Sequence, residues 1–215
     1  APPVAPAHLR SEVAAIPAGQ RLAAAGELTA FWARAPQVPA LLQEVGRLRE
    51  LTFRAVGEGT GRSLDLDEYD VDYLHLVIWN RKSEHVVGAY RLGPTDELLP
   101  QRGIPGLYTS TLFDYRPRLL QAMGPALELG RSFVVPEYQR SYAPLLLLWR
   151  GIGAFVAANP RYRYLFGPVS ISAAYEPSSR ALIASYLRAS GAYHPWSRLV
   201  RPRNPLRLPR RQERS

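Results

Sequence analysis

The run ALELGRSFVVPEYQ, residues 126–139, constrains the fold more than any other stretch of the chain. Leu127, Leu129, Phe133, Val134 and Val135 are the side chains of a strand buried in a core, yet Glu128 and Arg131 interrupt them. Burying an unpaired charge costs several kcal/mol, so the two groups must be matched, solvated by a cleft or used. In a regular strand residues 128 and 131 face opposite sides of the sheet. Gly130 lies between them and is the mark of a bulge, which would shift the parity by one and bring both charges to one side. Strands splay at such a place and leave backbone N–H groups free for a ligand. The 215 residues, 47% hydrophobic and 21% charged, suit one globular domain long enough to bury a sheet on both faces.

The other elements follow from periodicity. Over residues 38–56, Leu41, Leu42, Val45, Leu48, Leu51 and Val56 recur at spacings of three and four, an amphipathic helix. GEGTGR then closes it through Gly57, Gly59 and Gly61. Residues 73–79 and 86–92 are β-rich runs joined by the short polar RKSEH, an antiparallel hairpin. Residues 93–125 form an ordered excursion ending in a short helix at 117–123, and residues 127–135 are the next strand. An apolar helix at 144–158 opens with a proline suited to its first turn. A strand at 164–172, a helix at 178–190 and a last strand at 193–200 complete the order, an α/β fold with a mixed sheet flanked by helices. Residues 1–36 read as an N-terminal extension whose first 20 residues, rich in Pro and Ala, are extended apart from a strand or turn near 12–17. Residues 37–200 read as the domain, and 201–215, with six arginines and three prolines, as a basic tail that does not pack.

Composition removes several chemistries. There is no cysteine for a disulfide, a thiol nucleophile or a thiolate metal site, and His8, His75, His85 and His194 have no ligand spacing. The net charge of +9, carried almost wholly by arginine, favours acidic partners: nucleic acid, an anionic membrane surface or an acidic protein such as an acyl carrier. No nucleic-acid recognition motif accompanies the charge. No apolar run is long enough to span a bilayer, since 144–158 is broken by Arg150 and by glycines. The opening APPVAPAH has no signal-peptide profile and starts on Ala1, so the chain is expected to be a domain of a longer, cytoplasmic protein, with peripheral membrane contact left open.

Four charged groups depart from a plain core. Arg49 and Phe53 lie one helical turn apart; Asp67 and Asp70 precede a strand; Arg91 sits inside the apolar GAYRLG; and Glu128 pairs in sequence with Arg131. Singly, each has an ordinary explanation: turn acceptors for the aspartates, a surface helix arginine for Arg49, an outward edge position for Arg91. Together, in order and in spacing, they resemble the signature of the acyl-homoserine-lactone synthases. The longer text, YDVDYLHLVI, VVGAYRLG, GLYTSTLFDY, ALELGRSFVVPEYQ and LLLLWRGI, is more similar to the ornithine lipid synthases and the hemolysin-like acyltransferases related to them. The resemblance covers roughly residues 42–190.

What the resemblance implies is a GNAT-like (acyl-CoA N-acyltransferase) fold and N-acylation, with a fatty acyl thioester on the phosphopantetheine of acyl-carrier protein as co-substrate, no permanently bound cofactor, and the amine of an amino acid as acceptor. The acetyl-CoA-dependent members carry a glycine-rich loop that holds the pyrophosphate on backbone N–H groups. The corresponding text here is Gln139-Arg140-Ser141-Tyr142-Ala143-Pro144, where a tyrosine and a proline replace the glycines, which fits a carrier-protein donor. The tryptophan that follows the Phe53 position in the lactone synthases is absent, which argues against lactone synthesis.

On this reading Glu128 is the base, directly or through a water, because burial can raise a carboxylate's pKa toward neutrality. Arg131 and Arg91 orient it and bind the acceptor carboxylate, and Asp67 and Asp70 hold Arg49, Arg91 or the acceptor ammonium. Phe133, Val134, Val135, Gln139, Arg140 and Ser141 form the acyl-pantetheine site, with free N–H groups near Val134 polarising the thioester. Trp149, Ile152, Phe155, Leu165 and Phe166 wall an acyl tunnel, though any one of them taken singly is more readily an ordinary core position, and Arg140, Arg150, Arg161 and Arg163 face the carrier, each being equally a solvated surface charge. The alternative is a non-catalytic module that binds acyl-carrier protein or an anionic membrane beside another acyltransferase domain.

Overall fold

A computed structural model describes residues 1–172, 174–191 and 193–205. The chain begins with α1 (Pro6–Ala14), the hairpin β1 (Arg21–Ala25) and β2 (Leu28–Arg34), and α2 (Pro39–Ala55). A single turn, α3 (Tyr69–Asp72), leads into the hairpin β3 (Leu74–Asn80) and β4 (His85–Pro94). The excursion holds α4 (Thr95–Arg102), β5 (Phe113–Tyr115) and α5 (Pro117–Met123). Then come β6 (Ala126–Val134), α6 (Tyr142–Ala158), β7 (Tyr164–Phe166), α7 (Pro177–Ala189) and β8 (Val200–Pro202). Six strands form one sheet in the order β1-β2-β3-β4-β6-β7, antiparallel except for β6 against β7. β5 and β8 form a separate antiparallel pair.

The predicted extension is instead part of the domain. Leu9 and Val13 of α1 and Ile16 are buried with Leu41 and Val45 of α2 against one face of the sheet. Their spacing of four and three is the helical signal in a Pro- and Ala-rich segment. Glu12 also accepts the N–H groups of Ala40 (2.9 Å) and Leu41 (2.7 Å), so α1 caps the start of α2. β1 is rich in alanine, a poor strand former, and its pairing with β2 overrides that propensity.

The chain's end also differs from the expectation. β7 stops at Phe166: a Cβ on Gly167 would come within 2.1 Å of the Leu129 carbonyl, and Pro168 has no N–H to continue a ladder. Residues 195–199 are a 3₁₀ turn rather than a strand, and the strand that follows at Val200–Pro202 pairs with β5. Residues 201 and 202 belong to β8 and Arg203 meets Asp114 at 3.0 Å on the surface, and residues 206–215 of the predicted tail lie outside the described residues.

α6 covers the opposite face of the sheet, with Leu147, Leu148, Ile152 and Phe155 against Leu74, Leu76, Ile78, Leu127 and Leu129. Along β6 the inward side chains change face. Leu127 and Leu129 point to α6, whereas Phe133 and Val135 point to α2. In a regular strand all four would share one side. The bulge responsible lies one residue beyond its predicted place. Gly130 is in register with Arg91, and the next pair is Ala89 with Phe133, so Arg131 and Ser132 carry the extra residue. Arg131 has φ +52°, in the left-handed region that glycine normally occupies.

Candidate active site

Arg49, Arg91 and Arg131 converge on the α2 face from a helix and two strands, and three aspartates from the irregular segment before β3 meet them. Arg49 donates from Nε to Asp65 Oδ2 (3.1 Å), from Nη1 and Nη2 to the two carboxylate oxygens of Asp70 (3.2 and 2.8 Å), and to the Asp65 carbonyl. Arg91 reaches Asp67 Oδ1 at 2.5 Å and Asp70 Oδ1 at 3.3 Å. Arg131 lies 3.6 Å from Asp65 and 3.8 Å from Asp67. Three guanidinium groups thus face three carboxylates, and Arg49, Arg91, Asp65 and Asp70 are buried. Burial favours the neutral form of Asp70, but the charge and hydrogen bonds of Arg49 and the charge of Arg91 outweigh it and hold its pKa down at about 2. His75, opposite Arg91 in register, has its pKa lowered by burial and sits with Nε2 2.8 Å from the Asp70 carbonyl.

Aromatic rings complete the surroundings. The Arg91 guanidinium carbon lies 5.1–5.6 Å from the ring centres of Tyr69, Tyr73 and Tyr108, and that of Arg131 lies 5.1 Å from Tyr108 and 6.0 Å from Phe53. The left-handed backbone at Arg131 costs about 1–2 kcal/mol. Its two carboxylates and two rings are what offset that cost. Phe53, one turn after Arg49 on α2, is half-buried beneath Arg131.

Glu128 has a different environment. It is buried, has no ion pair among the described residues, and accepts from the Tyr73 hydroxyl and from the N–H groups of Thr109 (2.6 Å) and Tyr108 (3.2 Å). Arg131 and Arg91 therefore do not orient it, contrary to the expectation; the carboxylates nearest both guanidinium groups are those of Asp65, Asp67 and Asp70. Burial, and then the neighbouring Glu128, push the Tyr73 phenol pKa upward, which keeps its proton available to the carboxylate. Glu128 and Arg131 do share one side of the sheet: both touch Tyr108, one at its backbone and the other at its ring.

Two cavities are lined by residues that donate to this carboxylate, Tyr108 in one and Thr109 in the other. A mixed cleft of about 620 Å³ is lined by Phe53, Glu58, Tyr108, Arg131, Ser132 and Ser170. It lies where β6 and β7 part, because β7 pairs with β6 only over residues 126–128. An apolar pocket of about 400 Å³ is lined by Tyr115, Leu119, Leu120, Leu165, Phe166 and Trp196, among others. Phe113 borders both.

The expected pantetheine residues divide. Phe133 and Val135 are buried in the α2-side core, and the Val135 N–H is not free but donates to the Val87 carbonyl at 2.9 Å. Val134 is half-buried, and Gln139 donates from Nε2 to its carbonyl at 2.8 Å. Arg140 is exposed, and Ser141 caps α6 by accepting the Ala143 N–H at 3.3 Å. With that donor taken and Pro144 lacking one, the α6 start offers few N–H groups to an anion. Ile152 and Phe155 belong to the core and Trp149 lies outward on α6, so of the predicted tunnel only Leu165 and Phe166 line a cavity.

Asp65, Tyr73, Tyr108 and Thr109 escaped the sequence reading. Asp65 was legible in LDLDEYD, where it precedes Asp67 by two residues; Thr109 acts through its backbone, which no side-chain pattern reveals.

Residues 48–149 match the profile of the acetyltransferase (GNAT) domain. The fold is GNAT-like. The chain is 39% identical to a glycine N(alpha)-acyltransferase of Bacteroides thetaiotaomicron, over 79% of this chain and 53% of that protein. It is 31% identical to an L-ornithine N(alpha)-acyltransferase of Agrobacterium fabrum, over 65% of this chain and 48% of that protein. The chain spans about half the length of the curated relatives it matches. Among solved structures, an aminoglycoside acetyltransferase from an uncultured soil metagenomic sample aligns with TM-score 0.43 and 13% identity, over 79% of this chain and 93% of that one. The matched GNAT segment runs from α2 into α6 and includes Arg49, Arg91, Glu128 and Arg131. No described helix of this GNAT-like chain is long and apolar enough to cross a membrane.

Proposed function

We propose that the chain transfers a fatty acyl group from the phosphopantetheine thioester of acyl-carrier protein to the amine of an amino acid. The observation that carries this reading is Glu128: a buried carboxylate with no ion pair among the described residues, held by three donors, two of which belong to Tyr108 in the wall of the polar cleft and Thr109 in the wall of the apolar pocket. A carboxylate accepts in about four directions, so one remains for a water or for the acceptor's ammonium group.

The acceptor enters the mixed cleft. Arg131, which is partly exposed and lines the cleft, meets its carboxylate, and Glu58 gives the cleft a negative group as well, which suits a zwitterion. Glu128 takes a proton from the ammonium group, directly or through a water, and the freed amine attacks the thioester carbonyl. A C–N bond forms and the C–S bond breaks; the nitrogen's second proton passes to the departing thiolate, which leaves as the thiol, and Glu128 returns the first proton to solvent. The outer edge of β6 beyond residue 128 has no partner strand among the described residues and supplies N–H groups for the pantetheine arm. The α6 start, with few N–H donors, favours a carrier-protein donor over one bearing a nucleotide pyrophosphate. The chain's net charge of +9 favours an acidic carrier, and an anionic membrane surface is a second partner of the same chemistry.

The test is turnover of purified chain with acyl-carrier protein or acyl-CoA as donor and glycine, ornithine and other amino acids as acceptors, with products read by mass spectrometry. An N-acyl amino acid formed from the carrier-bound donor and lost in Glu128→Gln is expected. No product with any acceptor would overturn the proposal.

A further inference from the structure

The three donors of Glu128 divide unevenly between its two oxygens. Oε2 accepts the Tyr73 hydroxyl and the Tyr108 N–H, whereas Oε1 accepts the Thr109 N–H alone. A carboxylate oxygen takes about two hydrogen bonds, so Oε2 is filled and Oε1 keeps one direction. The Tyr73 hydroxyl is itself fixed: it accepts the Tyr108 N–H at 2.9 Å and so closes a triangle with Oε2. Its one proton has two acceptors in reach, Glu128 and the Gly106 carbonyl at 3.3 Å, and the charged carboxylate is the stronger.

The ring that carries this hydroxyl has a place made for it. Gly93 of β4 is in register with Glu128 of β6, and a Cβ on Gly93 would lie 2.8 Å from Tyr73 Cζ. Any side chain opposite Glu128 would therefore push the phenol off the carboxylate. Around it the ring meets Tyr69 edge-on at 6.0 Å, packs with Leu98 and Leu107, and has the Arg91 guanidinium carbon 5.1 Å from its centre.

We infer that Tyr73, seated by Gly93, is a positioning residue that commits Oε2 of Glu128 to the protein and leaves Oε1 as the oxygen that takes the acceptor's proton. The inference rests on the acyl-transfer reading above and adds to it which atom receives the proton and what holds that atom in place. Tyr73 acts through Glu128 and has no contact with substrate in this arrangement. A donor to a carboxylate favours its charged form, so loss of the phenol hydroxyl makes that carboxylate harder to ionise. The other groups around Glu128 are Arg91 of β4, Tyr108, and Tyr69 and Tyr115, whose phenol pKa values are raised first by burial and also by the Glu128 charge. β7 adds the uncharged Phe166, in register with Glu128.

Tyr73→Phe keeps the ring and removes the donor. The acid limb of kcat/KM for the acceptor is expected to move up by about one to two pH units, the worth of a hydrogen bond to a charged group, with the alkaline plateau and acceptor KM kept. Gly93→Ala retains the hydroxyl but displaces it, and is expected to move the limb the same way. Added to Tyr73→Phe, it should move the limb no further, although it costs stability in both backgrounds. A role in packing alone would lower the whole profile without moving it, and that result would overturn the inference. Infrared titration of the carboxylate band that Glu128→Gln removes makes the same comparison without turnover. A midpoint higher in Tyr73→Phe than in wild type sustains the positioning; found in a chain that transfers no acyl group, it sinks the acyl-transfer reading and leaves the hold on Glu128 standing. A midpoint that Tyr73→Phe leaves in place would overturn the inference.

Discussion

One sheet presents two unlike faces. Toward α6 it buries leucines and isoleucines, Leu74, Leu76, Ile78, Leu127 and Leu129, whose value lies in area removed from water. Toward α2 the same strands carry His75, Arg91 and Glu128, and the helix answers with Arg49. The first face holds the fold and would tolerate another packing of equal volume. The second carries a charge network in which Arg49 and Arg91 meet Asp65, Asp67 and Asp70, and removing one of those leaves an opposite charge buried with less compensation. The α6 side is thus wholly apolar, whereas the α2 side combines an apolar core around Phe31, Leu41 and Phe133 with the charged groups, and β6 serves both because its bulge lets it.

The sharpest way to break this division is Glu128→Gln. The amide keeps the shape and can still accept from the Tyr73 hydroxyl, so the circular dichroism spectrum should hold while the rate of acyl transfer falls by about 10²–10⁴-fold. Next, Arg49→Met strands Asp65 and Asp70 in the interior. Urea denaturation should show a loss of about 3–5 kcal/mol, as large as that of a core truncation. Leu76→Ala, on the other face, should lose about 2–5 kcal/mol and leave the acceptor KM of the remaining folded protein unchanged, a split that Arg131→Ala reverses.

Acid gives a smaller contrast. The Asp70 pKa falls from an ordinary 3.8 to about 2 on folding, so its contribution is complete above pH 3.8 and disappears as pH drops toward 2. It amounts to something on the order of 2 kcal/mol. Glu50 adds to the same acid limb: the Thr60 hydroxyl, opposed by burial and joined by Arg54 and two backbone N–H groups, lowers its pKa to about 2. Melting temperature measured between pH 5 and pH 2 should fall less steeply in Asp70→Asn, which starts from a lower plateau. The smallest effect belongs to Arg10→Ala, whose exposed pair with Glu84 at 3.1 Å should be worth under ~1 kcal/mol by the same denaturation.

Much of the architecture was legible in the sequence because it rests on periodicity. The helix from Leu41 onward, the β3–β4 hairpin, and the strand through Glu128 all announce themselves by spacing. The alanines of β1 do not, since their strand exists only through its partner β2. The arginines and Asp67 and Asp70 could be picked out as charges in apolar text. Which charge answers which could not, because Asp65, Asp67 and Asp70 choose among three guanidinium groups by geometry, and the choice left Glu128 with a phenol and two peptide N–H groups instead of an arginine. Those peptide groups belong to Tyr108 and Thr109, in an excursion whose path no local pattern sets.

The extra residue at Arg131 and Ser132 has one more consequence, for insertions and deletions. Upstream of it odd-numbered positions of β6 serve the α6 core, and downstream they serve the α2 core. Losing one of those two residues would straighten the strand and leave both apolar halves facing as they do, because Phe133 would stay opposite Ala89 and Gly130 opposite Arg91, whereas a deletion elsewhere in the strand would turn one half outward. Within Leu127 to Val135 a change of length is therefore tolerated, as far as facing is concerned, at Arg131 and Ser132 alone. Grafting the site onto another scaffold means carrying those nine residues as one uninterrupted unit.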